Sequence, residues 1–545
     1  MEVDLDSSSY SEFYGGRDDK EDSIEMSEVT FKELFNFYIS RNSLTKRKGY
    51  VDRLSETLES GARIKQIHQF QEELNQVDEE FGIFYFLNGK LFYDDNATRV
   101  EKTNAMGITT DADVPISVTE YEGRIVVCDR ENDPFVFPYN ASDLTDKDPS
   151  GSGVATKISS LVTSTNFVQK AGCVGTSHSH LMFGDVVDFD GTYRPYRLVI
   201  NRPGQLGTWP VDLFVDLDRS DRIVKIVDHG KDGTLIFMTK HIYVATYVGS
   251  GGVSRSPFHF DEVIAGVGLI GHNAIVETDK GIIFISTKGT YFIEKGQIFP
   301  RYIGKPIEGF WSDVNKTYRQ RIFGVDIPFR NSVMFCVPHG TGQVNNNRGI
   351  VINYHEWHQD GPDLLPAYSI FRGTKDNSTL FEFQSGHTIV DPTTRELQVI
   401  LGNDGVVYDF DGVVYDGVDT MGINCYLRSP YYRPLSKTKM KTWYRLQLDI
   451  SFDLSGTYTL TFRPFNTTSV IRDSLSDTKA GAPLGAFVLG THRLGADSLG
   501  FIHGDIGGCS RYGEVELDVD ESTQQLSIHN IQLFFRDAGT MSSLH

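Results

Sequence analysis

Residues 84–93 read Phe84-Tyr-Phe-Leu-Asn-Gly-Lys-Leu-Phe-Tyr93, and this stretch decides the fold class. An apolar run, an Asn-Gly pair and a second apolar run are typical of a β-hairpin, because glycine adopts the positive φ of such turns freely. The same cassette recurs at residues 117–128, 282–294 and 406–416, with Glu-Gly, Lys-Gly and Asp-Gly as the turns. Hairpins repeated at irregular intervals predict a stack of small sheets, as in a β-propeller.

The composition favours an all-β fold and argues against a protein that coats nucleic acid. Hydrophobic residues make up 39% and aromatic residues 12% of the 545-residue chain, enough for a large core rich in strand formers. The formal net charge is -21, from 73 acidic against 52 basic residues. Binding along a phosphate backbone needs clustered Lys and Arg, so we expect an acidic surface with poor affinity for duplex DNA.

The cysteines and the N-terminus indicate the compartment. The five cysteines form no CxxC motif, so they predict buried free thiols rather than a disulfide framework or a zinc ribbon. The first residues, Met1-Glu-Val-Asp-Leu-Asp6, lack the basic and apolar regions of a signal peptide. No apolar stretch approaches the ~20 residues that span a bilayer. We therefore expect synthesis in a cytoplasm and no membrane insertion.

Three regions are expected along the chain. Residues 1–60 are predicted to form an acidic, flexible N-terminal arm and a basic linker, residues 61–425 a β-propeller, and residues 426–545 a β-sandwich. The propeller region has one helical interruption near 307–321, where Phe310, Trp311, Val314 and Tyr318 recur on one face. Beyond residue 425, alternation over eight or more residues is typical of two sheets with one wet face each.

Motifs that carry chemistry are weak in this sequence. Gly266-Val-Gly-Leu-Ile-Gly271 matches GxGxxG, but a strand-like segment follows it where a dinucleotide site needs a helix. His178-Ser-His180 and His355-Glu-Trp-His358 are possible metal pairs without a third ligand of matching spacing. The GxSxG and HExxH motifs do not occur. The sequence therefore predicts no catalytic residues, no metal site and no cofactor.

Paired acidic residues leave two alternatives open. Asp188-Phe-Asp-Gly191 recurs as Asp409-Phe-Asp-Gly412, which favours Asp-Gly turns but also resembles the start of a calcium loop. Paired carboxylates of a glycosidase depend on the fold and are not visible in sequence. The Ser-x-Asp-x-Gly-x-Thr-Trp box of sialidase propellers does not occur.

One segment resembles a known family. Arg41-Asn-Ser-Leu-Thr-Lys-Arg-Lys-Gly-Tyr50 is similar to the N-terminal signature of the tail nozzle, or head-to-tail stabilisation, proteins of short-tailed bacteriophages, with Lys48 where Pro is common. The segments that resemble later parts of these proteins are residues 63–70, 81–93, 279–291, 303–308, 349–357 and 402–409. Together they are spread over residues 41–420.

The resemblance implies a structural virion protein that is not an enzyme. Proteins of this family form a ring, usually of six subunits, below the portal and adaptor, and its channel retains the genome and later lets it out. The partners implied are other copies of the chain, the portal and adaptor proteins, and tail fibres or a needle. The implied location is the virion tail, after synthesis in the host cytoplasm.

Two sets of site residues follow from charge. Lys46, Arg47 and Lys48 form the one dense basic run of an acidic chain, so we expect them to dock on a carboxylate-bearing surface of the adaptor or of a neighbouring subunit. An acidic channel wall would let DNA pass without specific binding. The candidate residues for that wall are Asp185, Asp188, Asp190, Asp404, Asp409 and Asp411, and solvent-facing turns are the alternative interpretation.

Two other functions compete with this prediction. A propeller glycosidase acting on host surface polysaccharide would have an aromatic-lined pocket with two carboxylates about 5 to 10 Å apart. A receptor-binding tail-fibre module would form a trimer with exposed aromatic patches. The number of subunits separates the fibre module from the nozzle.

Overall fold

A computed structural model describes most of the chain. The described residues are 6–19, 26–54, 57–74, 78–94, 99–102, 108–111, 113–139, 154–162, 167–210, 213–249, 256–360, 363–373, 381–391, 394–413, 415–416, 421–434, 439–452, 457–465, 471–476, 499–505, 509–522 and 526–539. Strands dominate these ranges, so the all-β prediction is confirmed.

The N-terminal part of the chain forms short strands. In chain order they are β1 (Asp6–Tyr10), β2 (Gly16–Arg17), β3 (Thr30–Phe31), β4 (Glu33–Phe35), β5 (Phe37–Ser40), β6 (Ser43–Lys46) and β7 (Gly49–Asp52). Strands β2 and β3 pair with each other, whereas β1 and β4–β7 join sheets that are otherwise built from much later parts of the chain.

Four-stranded antiparallel sheets follow one another as the blades of a propeller. Blade one consists of β8 (Ile64–Leu74), β9 (Asp78–Leu87), β10 (Lys90–Asp94) and β11 (Arg99–Glu101). Blade two consists of β12 (Ser117–Tyr121), β13 (Arg124–Cys128), β14 (Phe135–Tyr139) and β15 (Val154–Lys157). Blade three consists of β16 (Lys170–Ser177), β17 (His180–Val187), β18 (Tyr193–Ile200) and β19 (Phe214–Asp216). Blades four and five are β20 (Ile223–Asp228), β21 (Thr234–Met238), β22 (His241–Tyr247) and β23 (Phe258–Ala265); and β24 (Ile275–Thr278), β25 (Gly281–Ser286), β26 (Gly289–Glu294) and β27 (Arg301–Tyr302). Blade six is β28 (Phe323–Ile327), β29 (Ser332–Val337), β30 (Arg348–Asp360) and β31 (Asp363–Phe371), and blade seven begins with β32 (Ser385–Val390), β33 (Leu397–Asn403) and β34 (Val406–Val413).

The N-terminal strand β7 completes the seventh blade. It pairs antiparallel with β34, with Tyr408 opposite Asp52 and Phe410 opposite Tyr50. The innermost strand of blade seven, β32, packs in turn against β8 of blade one. The circle of blades is therefore closed by a segment that precedes it in the sequence.

Apolar clusters join each blade to the next around the whole circle. Separate clusters lie between blades one and two, two and three, three and four, six and seven, and seven and one, while a single larger cluster joins blades four, five and six. Aromatic edges mark these seams, as where Phe84 of blade one meets Phe137 of blade two with ring centroids 5.6 Å apart. Burial of so many side chains between sheets fixes the packing of the blades.

The turns confirm some predicted hairpins and correct one. Asn88-Gly89 and Glu122-Gly123 connect paired strands as predicted, with φ of 77° at Gly89. The Asp411-Gly412 pair was expected to be a turn and instead lies inside β34, where the register with β7 shifts. Some bulges and some tight turns share a left-handed residue, and Asp411 has φ of 64°.

The predicted helix near 307–321 is real but broken. The described helices are α1 (Ile158–Leu161) and α2 (Glu308–Ser312), with 3-10 turns at Gly230–Asp232, Lys305–Ile307, Lys316–Arg321 and Pro328–Arg330. Phe310, Trp311 and Val314 are buried as predicted, whereas Tyr318 is half-buried in the 3-10 turn Lys316–Arg321. The helix ends at Ser312, and two residues later Val314 forms a bridge with His339.

Two sheets lie beyond the propeller. Their later strands are β35 (Tyr415–Asp416), β36 (Met421–Arg428), β37 (Met440–Phe452), β38 (Thr457–Pro464), β39 (Ile471–Ser476), β40 (Leu499–Asp505), β41 (Cys509–Ser510), β42 (Gly513–Ser522) and β43 (Leu526–Gly539). One sheet has the order β40-β37-β43-β6-β5, and the other continues blade six through β4 into β36, β42, β38 and β39. Residues of both sheets share one core cluster around Trp443.

The N-terminal segment differs from the flexible arm that was predicted. Where the structure describes it, β1 pairs with β43 and β5–β6 extend the same sheet, while Phe13 and Phe31 are buried in the core shared by the two sheets. Large aromatic side chains near an acidic terminus explain this incorporation, because their burial is favourable. The predicted boundaries at residues 60 and 425, and a separate sandwich domain at 426–545, stay predictions.

In the ranges that the structure describes, no helix has the length or the apolar content that crossing a bilayer requires.

Candidate functional site: a polar cavity on the propeller axis

The inner strands of five blades surround a cavity of about 340 Å³. Blade one contributes Gln66 and blade four contributes Lys225, so the cavity lies on the propeller axis. The remaining lining residues come from the loop between blades four and five and from the inner strands of blades five, six and seven: His272, Asn273, Ile275, Val276, Glu277, Phe323, Gly324, Val325, Asp326, Ser385, Gly386, His387 and Thr388.

Lys225 and His272 form a hydrogen-bonded pair on one wall. The Nζ atom of Lys225 lies 3.2 Å from Nε2 of His272, and Nδ1 of His272 lies 2.8 Å from the carbonyl oxygen of Val224. A carbonyl only accepts, so Nδ1 carries the proton and Nε2 accepts from the ammonium group. Burial, reinforced by the charge of Lys225, holds the pKa of His272 well below its usual value, so this histidine is neutral.

A β-bulge positions this pair. The register between β20 and β21 shifts between Ile223 and Lys225, which leaves Val224 as the additional residue. The residue inserted at a bulge is not part of the regular ladder, so the Val224 carbonyl is available to His272. Lys225 is enclosed by protein apart from its cavity side, and burial lowers the pKa of its ammonium group.

Two carboxyl groups lie on the other walls. Burial raises the pKa of Asp326 to about 6, with Asp279 adding to the effect and a hydrogen bond from Tyr354 opposing it. Burial also raises the pKa of Glu277, against the opposing charge of Lys225. The Oδ1 atom of Asp326 has no hydrogen-bond partner among the described residues. The Asp326 carboxyl group is therefore half-buried and incompletely paired, whereas Glu277 lies where the cavity opens to solvent.

His387 and Ser385 add polar groups from blade seven. Burial, together with the charge of His68, lowers the pKa of His387 to about 3, so its ring is neutral at physiological pH. Ser385 is buried, and its hydroxyl has no hydrogen-bond partner within the described structure. Thr388 donates from its hydroxyl to the Asp326 carbonyl at 2.5 Å, which joins blades six and seven.

The cavity has the size and polarity of a site for a small molecule. Its volume is at the low end of the range of about 300–1,000 Å³ for ligand pockets. The side chains combine a buried cation, two carboxyl groups and neutral imidazoles, so they can bind a ligand that both donates and accepts hydrogen bonds. In the residues that the structure describes, no group of three or more metal-ligating side chains is present.

No sequence motif pointed to this cavity, because its residues are spread over some 320 positions between Gln66 and Thr388. One signal was available. Lys225 interrupts the apolar run Ile223-Val-Lys-Ile-Val227, and a charged residue in a buried strand usually has a specific partner or role.

The basic run predicted as an assembly contact is largely buried. Lys46 is 1% exposed and Arg47 is fully buried, whereas Lys48 is half-buried and donates from its backbone N–H to Asp411. The surface that the sequence predicted is thus absent at Lys46 and Arg47. Local charge alone indicated exposure, but the acceptors for Arg47 come from distant parts of the chain.

Asn36 and Arg47 form a junction that sequence reasoning missed. Arg47 donates to Oδ1 of Asn36 at 3.0 Å, to the Lys48 carbonyl at 3.1 Å and to the Arg372 carbonyl at 3.2 Å. The side-chain amide of Asn36, also fully buried, donates to the Asn424 carbonyl at 2.7 Å. This Asn36–Arg47 junction therefore links the N-terminal segment, the end of blade six and the strand β36.

The first acidic candidates lie in blade three and are neutralised by arginine. Asp185 is buried and pairs with Arg130, while the Tyr193 hydroxyl donates to it at 2.6 Å. Asp188 is also buried and accepts from Arg197 at 2.6 Å. Asp190 is exposed and pairs with Arg194 at 2.9 Å; a backbone hydrogen bond from Thr192 lowers its pKa.

The second acidic group lies in blade seven, and two of its three members pair with arginine. Asp409 pairs with Arg53 at 2.7 Å, and Asp411 pairs with Arg330 at 2.9 Å. Burial raises the pKa of both carboxyl groups against the effect of these arginines. Asp404 is exposed and accepts from Gln384 at 2.7 Å. None of the six candidates lines the axial cavity, and their position in a ring of subunits stays a prediction.

The remaining motifs have structural roles where they are described. Residues 266–271 form the loop between β23 and β24, and a strand follows it. His178 lies in the turn before β17, and His180 is buried with Nδ1 2.8 Å from the Asn201 carbonyl. Asp188 and Gly191 form a turn through a backbone hydrogen bond of 2.9 Å, as predicted for this Asp-Gly sequence.

Comparison with known proteins gives little beyond the architecture already described. No family model and no curated protein matches the chain. Among solved structures, similarity is found to YCF48 bound to D1 peptide (10% identity, 67% of this chain and 97% of that chain, TM-score 0.36) and to BBS1N in complex with ARL6DN (11% identity, 67% and 97%, TM-score 0.34). Raptor from Chaetomium thermophilum matches at 7% identity over 70% of this chain and 28% of that chain, with a TM-score of 0.28. Similarity this remote carries no conclusion about function.

Proposed function

We propose that this chain is a structural component of a phage tail: a subunit of the nozzle or hub ring below the portal and adaptor, whose channel retains the genome and later releases it. The proposal rests on the family resemblance of residues 41–50 and on the structural role of that segment. The chain would act through its shape and contacts, not as an enzyme.

The observation that carries the proposal is the position of the signature segment. Residues 43–52 form β6 in one terminal sheet and β7 in the seventh blade, and Arg47 is buried between them. The segment thereby joins the propeller to the sheets beyond it. A subunit that walls a DNA channel has to keep its parts in fixed relative positions under load, and this connection supplies that rigidity.

Assembly into a ring requires one repeated contact between copies. A heterologous interface that repeats with a closing rotation gives a ring, and we propose six copies. The further partners are the portal and adaptor on one side and the tail fibres or needle on the other, and the place of action is the virion tail. Genome DNA would pass through without specific binding, because the chain has a net charge of -21.

The test is to count subunits in particles. Cryo-electron microscopy of virions, or of the chain assembled with portal and adaptor, is expected to show a closed ring of six subunits next to the adaptor. A trimer at the tip of a fibre would identify the receptor-binding module instead. A solitary subunit, or absence from particles, would refute the structural proposal.

A charge variant tests the docking hypothesis without disturbing the junction. Arg41 is exposed and belongs to the signature, whereas Arg47 is buried. Arg41→Glu is expected to preserve the fold and reduce incorporation into particles, because complementary charge guides association. Exposed Lys240 lies outside the signature, so Lys240→Glu is the matched control. Equal incorporation of both variants would exclude Arg41 from the contact.

A propeller glycosidase is the second candidate, favoured by the two carboxyl groups of the axial cavity. Asp326, with its pKa of about 6, has the property of a general acid, and Glu277 lines the same cavity. This function predicts hydrolysis of host surface polysaccharide that Asp326→Asn abolishes. Absence of reducing-sugar release from purified protein would remove it.

A further inference from the structure

Lys225 has unused hydrogen-bonding capacity inside the axial cavity. An ammonium group carries three N–H donors, and one of them is directed to Nε2 of His272. Among the described residues Lys225 forms no ion pair within 4.0 Å. The Glu277 carboxyl group raises the pKa of Lys225 from beyond that distance. A ligand anion would therefore give this half-buried cation the direct, hydrogen-bonded counter-charge that it lacks.

Oxygen atoms without hydrogen-bond partners lie elsewhere on the wall of the same cavity. Asp326 of blade six and Ser385 of blade seven both line it, and each has an oxygen atom without a hydrogen-bond partner in the described structure. Lys225 belongs to blade four, so the donor and these acceptors are held by different blades. They do not neutralise one another.

We propose that the axial cavity binds a small zwitterion of the free α-amino acid class, with the ligand carboxylate on Lys225 and the ligand ammonium group on Asp326. A net-neutral ligand with separated charges satisfies both ends of the cavity at once. This inference does not depend on the role proposed for the whole chain.

The other walls restrict the ligand. Glu277 repels a second negative charge, so a dicarboxylate or a phosphate ester is disfavoured. The volume of about 340 Å³ admits an amino acid with a few waters but no peptide of useful length. Asn273, Gln66 and Thr388 offer amide and hydroxyl groups, which favour a small polar side chain on the ligand.

The binding experiment uses the full chain and matched ligands. Isothermal titration with a panel of free α-amino acids is expected to show saturable binding of at least one, with a Kd of about 1 mM or tighter. The corresponding amide lacks the carboxylate and the N-acetyl derivative lacks the ammonium group, and both are expected to bind at least about tenfold more weakly. Equal binding of the N-acetyl derivative would overturn the zwitterion assignment in favour of a simple anion site.

Two variants test the two ends separately. Lys225→Met keeps the length of the side chain, and Asp326→Asn keeps its shape; each is expected to weaken binding by about 10- to 100-fold, because each removes a charge-assisted hydrogen bond. Lys240→Met and Asp261→Asn are the controls, since they make the same changes at exposed positions. Controls that lose affinity as strongly as the cavity variants would refute the site.

Stability separates loss of the site from loss of the fold. Without ligand, Lys225→Met is expected to melt at a higher temperature than the native chain, because it removes a buried charge. A variant that is more stable and yet does not bind identifies Lys225 as a ligand contact. No saturable binding by any amino acid, or binding of monosaccharides instead, would overturn the proposal.

Discussion

Replacing Arg47 by methionine is expected to destabilise the chain itself, although sequence reasoning placed this residue on a docking surface. Methionine retains an apolar stem but loses the guanidinium group, whose carbon lies 5.2 Å from the ring centroid of Phe381. The change removes donors to three acceptors. Of these acceptors, Oδ1 of Asn36 still accepts a hydrogen bond from the Arg372 N–H at 2.8 Å. The backbone carbonyls of Lys48 and Arg372 are the two acceptors that lose the arginine as their donor.

The magnitude follows from those two carbonyls. Leaving a buried acceptor without a donor costs about 1–3 kcal/mol, or roughly 2–6 kcal/mol for both. Removing a buried charge offsets part of this cost, so we expect a net loss of about 2–4 kcal/mol. For a cooperative unit of roughly 350 residues the unfolding entropy is ~0.7 kcal/mol/K, which converts the loss to a fall in Tm of about 3–6 °C.

Differential scanning calorimetry measures this fall, and exposed Arg41 provides the control. Arg41→Met is expected to change the free energy of unfolding by less than about 0.5 kcal/mol. A Tm for Arg47→Met within about 1 °C of that for Arg41→Met would refute the claim that the Asn36–Arg47 junction holds the chain together. The result also bears on assembly studies, since a charge reversal of all three basic residues would perturb folding before docking.

Three further predictions follow from the cavity, the thiols and the surface charge. Because the pKa of Asp326 is raised to about 6, its protonated form stabilises the native chain below pH ~4, and this contribution is lost as the pH rises through about 6. Asp326→Asn should therefore raise Tm at pH ~8 and leave Tm unchanged at pH ~4. An equal shift of Tm at both pH values would contradict the raised pKa. Cys509 is exposed and the other four thiols are buried, so a thiol reagent should modify one cysteine in the native protein and five in denaturant. The purified chain should bind duplex DNA no more tightly than about 10⁻⁶ M at ~0.15 M salt, and a mobility-shift assay that gave sub-micromolar affinity would exclude an acidic channel.

Local turn chemistry predicted the blades because each hairpin is encoded within about a dozen residues. Asn88-Gly89 shows this directly, since its neighbours pair with one another. The turn predicted at Asp411-Gly412 was wrong, because a residue with positive φ can belong to a bulge as well as to a turn. What distinguishes them is the partner strand β7, more than 300 residues earlier in the chain, which the local sequence does not specify.

Charge was the least reliable guide to the sites. Lys46 and Arg47 appear in sequence as a solvated basic run, yet their environment is set by Asn36 and by the carbonyl of Arg372. The acidic candidates likewise appear in sequence as free surface charges, yet arginines from other strands neutralise most of them. The axial cavity could not be predicted for a related reason: Lys225 and Asp326 line one cavity only when blades four and six close around a common axis.

Blade seven can close only late in translation, because its strands come from both ends of the propeller sequence. Arg53, immediately after β7, bonds to Asp409 across 356 positions, so a nascent chain presents the N-terminal strand long before its partner exists. At about 5–20 residues per second the ribosome needs roughly 20–70 s to supply β34. During that interval six blades can fold while β7 remains an unpaired edge. The ring of blades is thus completed late in translation, and a chain truncated before residue 406 leaves β7 without its antiparallel partner.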